Sequence, residues 1–235
     1  MKLRSIVLAG LIGTSLLTMS GCNEDDIIDA INDALETNIV HVANGYSSTV
    51  TFELEGGSNG NTQTVNSKKS KMFLLSGQNS YAVSNSVNTS TKHFDKNSAH
   101  LYGLCQNGSV ITDSATGGSR EIEIVNLSNT AIGTGAQGVE VIFYGTNNRE
   151  LDRKTIRGGV GVCVKETLPS TSINLIDVKS VSVDGLRYDI PTYNSDIQNK
   201  LNDLNNVDFD LVVFEAGSNP KGTVVPLATP TELSI

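Results

Sequence analysis

No tryptophan occurs in this chain, and six tyrosines and six phenylalanines are its whole aromatic content over 235 residues. Sugar recognition by ring stacking therefore has few rings to draw on. Histidine is scarcer still, at three residues, which narrows both metal ligation and acid/base catalysis. Three cysteines are too few for a disulfide-dense scaffold. Clusters of positive charge are also missing, with 17 Lys and Arg against 25 Asp and Glu and a formal charge of −8. An acidic chain of this kind is a poor match for phosphate backbones, so nucleic acid is excluded as a partner. The two stretches that look basic, "SKKSK" at 67–71 and "LDRKTIR" at 151–157, read as solvated turns or strand edges.

The first residues have the layout of an export signal. Lys2 and Arg4 precede an apolar run broken only by Gly, Ser and Thr, too short to span a bilayer comfortably. No other segment is long and apolar enough to cross one. Ser20 and Gly21 then lead into Cys22, and "LLTMSGC" resembles the lipobox of bacterial lipoproteins, with Met19 where that family most often has leucine. The resemblance implies cleavage before Cys22 and lipidation of its sulfur, which would hold the chain on a membrane through acyl chains at about 0.8 kcal/mol per buried CH₂. In Gram-negative lipoproteins an Asp after the cysteine commonly signals inner-membrane retention; Asn23 here points to the outer membrane. Without residues 1–21 the chain keeps 15 basic against 25 acidic side chains.

Abundant Gly, Ser, Asn and Thr, with Val and Ile at alternate positions, predicts an all-β fold with polar turns. "NEDDIIDAINDALET" at 23–37 is the exception, placing Ile27, Ile28, Ile31, Ala34 and Leu35 on one helical face with acids in the first turn. Strand periodicity starts at Asn38: Val50, Phe52 and Leu54 alternate inward, as do Tyr81 and Val83. "TDSATGGS" has the composition of a linker. Beyond it, 120–145 can be laid over 38–56 as strand, Asn-containing bend and alternating strand, with Val139, Val141 and Phe143 inward. The expected organisation is a signal (1–21), a lipid anchor and helical tether (22–37), a first β-sandwich (38–112), a linker (113–119) and a second β-sandwich (120–235), both Ig-like or Greek-key. The second contains a short helix capped by Ser195, with Ile197, Leu201 and Leu204 on one face. "FDLVVFEAG" reads as a buried strand and "GTVVPLATPTEL" as an edge strand, because its prolines cannot donate to a central ladder.

The pieces "IVHVAN…STVTFELEGG", "FLLSGQNSYAV" and "IEIVNLSN…VEVIFYG" resemble a domain-of-unknown-function family of exported bacterial β-sandwich repeats. That resemblance implies cell-surface sandwiches in tandem and brings no catalytic residues.

Motifs that look like chemistry lack the context they need. "GGSNG" at 56–60 has the letters of a nucleophile elbow, but no helical pattern follows Ser58. "GTGAQG" at 133–138 has the letters of a dinucleotide loop, but a strand-like "VEVIFYG" follows and no acidic ribose partner can be placed. His93, Asp95 and His100 offer two imidazoles and a carboxylate, with no thermolysin-like spacing. His41 sits inside an alternating strand and reads as a sheet histidine. Asp177, Asp184, Asp203, Asp208 and Asp210 lack EF-hand spacing and read as solvated loop acids. No catalytic residue, metal ligand set or cofactor is predicted. Cys105 and Cys163, the pair left once Cys22 is acylated, are expected to form a disulfide in an oxidising compartment.

These expectations add up to a lipid-anchored envelope protein that contacts another envelope protein without catalysis. A glycan or small-ligand binder is the second possibility, and a periplasmic hydrolase using His93, Asp95 or His100 the third. Cys22→Ser is expected to move the protein from the membrane fraction to the soluble one and to change its gel mobility; retention in the membrane with unchanged mobility would remove the anchor.

Overall fold

The computed structural model describes residues 38–55, 61–75, 80–88, 90–95, 99–114, 121–133, 138–169, 173, 177–189 and 208–227. Residues 1–37, with the expected signal, Cys22 and the expected helical tether, and the helix expected after Ser195 lie outside them. Among the described residues the protein is all-β, with a 3-10 turn at Thr146–Asn148. Eight strands belong to the first half: β1 (Asn38–Asn44), β2 (Val50–Glu55), β3 (Asn61–Val65), β4 (Lys69–Leu75), β5 (Ser80–Asn85), β6 (Lys92–Asp95), β7 (Ala99–Leu104) and β8 (Val110–Ser114). Eight more follow: β9 (Ile122–Asn126), β10 (Val139–Tyr144), β11 (Glu150–Ile156), β12 (Val164–Thr167), β13 (Ser180–Val183), β14 (Leu186–Asp189), β15 (Asp208–Glu215) and β16 (Lys221–Leu227).

The strands form four sheets of four. The first sheet has the order β4-β1-β7-β8 and the second β3-β2-β5-β6; they close on a core that includes Val40, Val42, Phe52, Leu54, Tyr81 and Tyr102. The third has the order β12-β9-β15-β16 and the fourth β11-β10-β13-β14, around Ile124, Val139, Val141, Phe143, Val181 and Leu211. Each strand of the second sandwich therefore takes the place held by the strand eight earlier in the first. Pairing directions agree as well: β1 runs parallel to β7 and antiparallel to β4, and β9 runs parallel to β15 and antiparallel to β12. The alternation read from "VTFELE" holds in β2, where Val50, Phe52 and Leu54 are buried and both glutamates are exposed. "GTVVPL" lies in β16, at a sheet edge, as its proline requires.

The Asn-containing bends are the closest correspondence between the copies. Asn44 ends β1: its amide donates to the Ser48 and Val65 carbonyls, both at 2.9 Å, and its Oδ1 accepts from the Tyr46 backbone N at 2.9 Å. Asn126 ends β9 and repeats this, donating to the Thr130 carbonyl at 2.9 Å and the Gly161 carbonyl at 2.8 Å, and accepting from the Ser128 backbone N at 3.1 Å. Each amide fastens the outgoing loop to a second strand connection, satisfying three backbone groups that the ladder has released. One boundary differs from the sequence expectation: Asp113 and Ser114, expected in the linker, continue β8, where they pair with Leu101 and His100.

Asn126→Ala removes four hydrogen bonds, one of them from the Ser128 hydroxyl, at a fully buried position, and is expected to cost about 3 kcal/mol by urea unfolding, with Asn44→Ala similar. A loss below about 0.5 kcal/mol would mean that the bends are held by their backbone alone.

Candidate functional site at the seam between the sandwiches

The two sandwiches are fused. β1 sends Val40 and Val42 into the first core but turns Ala43 outward, and β7 likewise turns out Ala99 and Leu101. From the other side β9 presents Val125, β15 presents Val212 and Phe214, and β16 presents Val225 and Leu227. The outer faces of the first and third sheets meet over these side chains, so the four sheets stack as layers with two of them buried on both faces. Leu127 occupies the tightest point, packed against the backbones of Gly45 and Gly103. A Cβ on Gly45 would lie 2.7 Å from both Leu127 Cβ and the Leu104 carbonyl, and one on Gly103 would lie 2.8 Å from Leu127 Cδ2.

A disulfide crosses the seam. Cys105 follows β7 and Cys163 precedes β12, with Cα atoms 5.6 Å apart and a sequence separation of 58. This is the pairing expected from the cysteine count. In the loop-entropy account such a link stabilises by about 4 kcal/mol.

Beside the apolar centre lies a charged cluster assembled from both sandwiches. Asp113 comes from β8, Glu123 from β9 and Asp210 from β15, and one carboxylate oxygen of each lies within 4.8 Å of the others. Lys165 of β12 brings its Nζ to 2.5 Å from Asp113 Oδ1 and 3.1 Å from Glu123 Oε2. The Thr167 hydroxyl donates to Glu123 Oε1 at 2.6 Å. Asp210 is 1% exposed and Glu123 4%, whereas the Lys165 side chain is 39% exposed. Burial pushes the Asp210 carboxyl well above the usual carboxylate range, and the charges of Asp113 and Glu123 add to the rise while Lys165 opposes it. Glu123 is raised first by burial and then by its hydrogen bond with Asp113. Burial alone would lower Lys165; its bonds to Asp113 and Glu123 outweigh that and raise it.

The other end of β15 carries the opposite charge. Glu215 Oε2 lies 2.8 Å from Lys68 Nζ, across the seam, and 3.3 Å from Lys221 Nζ. Asp210 and Glu215 are five positions apart on β15, or about 17 Å of strand. Lys68, Lys69 and Lys221, with Ser47, Ser67 and Gln106, line an open cleft of about 400 Å³ spanning both sandwiches. The Lys68 and then the Lys221 ammonium hold Glu215 below its ordinary value.

The remaining residues singled out in the sequence scatter. His100 points into the first core beside Phe94 and Tyr81, with ring centroids at 4.7 and 5.8 Å, and its Nδ1 is 2.6 Å from Ser114 Oγ. His93 neighbours the inward Phe94 on β6 and is exposed, so the two histidines face different environments. His41 is buried in β1. "GGSNG" lies outside the described residues, and of "GTGAQG" only Gly133 and Gly138 are described; β10 follows that loop, so the helix a dinucleotide site needs is replaced by a strand. Asp177 and Asp184 are exposed, as expected for solvated acids, and Asp203 lies outside the described residues. Asp208 and Asp210 contradict that expectation, being buried in β15, with Asp208 Oδ1 accepting from the Glu121 backbone N at 2.6 Å. The sequence does carry a signal for Asp210: it shares a strand face with Val212 and Phe214 in "FDLVVFE", a run apolar on both faces. No family model matches the chain, and neither does any curated protein.

The depressed Glu215 pKa predicts a pH-dependent contribution to stability. A carboxylate lowered in the folded state stabilises fully above its unfolded pKa of about 4.3 and loses that effect as pH falls through the folded value. Glu215→Gln should therefore unfold at lower urea than the parent at neutral pH and coincide with it near pH ~2. A gap of constant size across that range would point to packing instead of charge.

Proposed function

We propose that this chain is a lipid-anchored module of the cell envelope, held at the outer membrane through Cys22, which binds or helps assemble another envelope protein without catalysing a reaction. The lipobox-like start and the strand motifs support the location, and the disulfide supports an oxidising compartment. The observation that carries the binding role is the edge of β12, which pairs with β9 alone among the described strands. β12 ends its sheet, and Val162 and Val164, on either side of Cys163, are 43% and 37% exposed. An open sheet edge with apolar side chains suits an extended segment of a partner that adds a strand by backbone hydrogen bonds and seats alternate side chains on the valines. The seam and its disulfide hold that edge rigidly, so little ordering entropy opposes docking.

A second reading, a glycan or small-ligand binder, draws on a polar cleft of about 500 Å³ at the end of the first sandwich, where Tyr46 is joined by Asn88, Ser90, Lys92, Asn107 and Ser109.

Cross-linking in intact envelopes, followed by affinity capture and mass spectrometry, separates the two. One envelope protein recovered in near-stoichiometric yield with the parent, and lost with both Cys22→Ser and the double change Val162→Lys, Val164→Lys, is the expected result. Undiminished capture by the valine variant would reject the β12 edge, and recovery of the monomer alone would favour the Tyr46 cleft.

A further inference from the structure

We infer that Asp113, Glu123 and Asp210 form a calcium site that clamps the seam between the two sandwiches. The donors converge from three strands, one in the first sandwich and two in the second, and their oxygens lie within 4.8 Å of one another. Oxygens bound to one calcium ion at 2.3–2.6 Å are at most about 5 Å apart, a span that the three meet pair by pair. Carboxylate oxygens alone, with no imidazole or thiolate, select a hard cation over zinc or copper. Glu123 is already oriented towards such an ion, because the Thr167 hydroxyl engages Oε1 while Oε2 faces Lys165 and the cluster.

An independent observation asks for a cation. Asp210 is 1% exposed; its carboxyl lies in hydrogen-bond range of Asp113, itself an acid, and its Oδ2 is buried with no partner among the described residues. A buried carboxylate oxygen without a donor is unfavourable, and most such oxygens in folded proteins are paired. Lys165 supplies one positive charge to three carboxylates, and among the described residues its ion pairs are with Asp113 and Glu123. Its half-open position lets the ammonium swing into solvent, so Lys165 is the counter-ion the chain itself provides and the group that a calcium ion displaces. Bound calcium would join Asp113 to Glu123 and Asp210 across the seam, at the end of β15 away from the Lys68–Glu215 bridge.

The test uses the full chain in its soluble Cys22→Ser form, stripped with chelator and kept at about neutral pH. Calorimetric titration and thermal melts are run with CaCl₂ and, in parallel, MgCl₂, up to about 5 mM, above the affinity range of extracellular calcium modules. Calcium should bind and raise the melting temperature. Lys165→Met, which removes the competing unit charge, should bind calcium about tenfold more tightly. Asp210→Asn and Asp113→Asn, each confirmed folded by circular dichroism in chelator, should lose the calcium response. Absence of both heat and melting shift in the parent and in Lys165→Met would overturn the site, leaving a shared proton to occupy the cluster. An unaltered calcium response in both Asn variants would overturn the residue assignment, and an equal response to magnesium the choice of ion.

Discussion

Burial of one sheet face against another across the seam is the contact that sets the rest of this architecture. A sandwich on its own leaves the outer face of each sheet in water, and its strands alternate apolar and polar. Here the first and third sheets give up that freedom. β15 is apolar on both faces, sending Phe209, Leu211 and Val213 into the second core and Val212 and Phe214 into the seam. The outer sheets keep a wet face, and "VTFELE" alternates accordingly. Continuous apolar runs are usually a mark of parallel sheets covered on both sides; the same physics acts here because a second sandwich covers the sheet. Once the seam is dry, every charge placed in it needs a partner, which is why ions gather at both ends of β15 instead of at its middle.

Most of the architecture is legible in the sequence because it depends on local periodicity. Alternation locates the inward residues of β2, β5 and β10, the strand-like letters after "GTGAQG" place β10 there, and the cysteine count pairs Cys105 with Cys163. The seam is not legible, because it is fixed by contacts between residues far apart in sequence. "TDSATGGS" has the letters of a linker, yet Asp113 and Ser114 within it pair with β7, since a neighbouring sheet holds the strand in place. Asp208 and Asp210 read as loop acids because charge suggests solvent when a residue is considered apart from its strand; only the cover provided by a second sheet makes a buried acid of each. Asp113, Glu123 and Lys165 come from four-strand sheets on opposite sides of the seam, and no spacing rule joins them.

The two copies also show how a repeat accommodates its own contact. The position after the bend asparagine is Gly45 in the first copy and Leu127 in the second, and these two residues touch. Leucine at both places would collide, and glycine at both would leave a void in a closely packed layer. Identity between the copies is therefore ruled out at this point by packing itself, while the asparagine beside it, whose partners lie within its own copy, is the same in both.

The path of the disulfide has a bearing on the order in which the protein matures. All strands of the first sandwich are present once β7 and β8 have emerged, for β1 finds its parallel partner some sixty positions downstream. Cys105 is then present but has no mate, because Cys163 becomes fixed only when β12 has paired with β9. The Cys105–Cys163 bond can therefore close only once the second sandwich has reached the first.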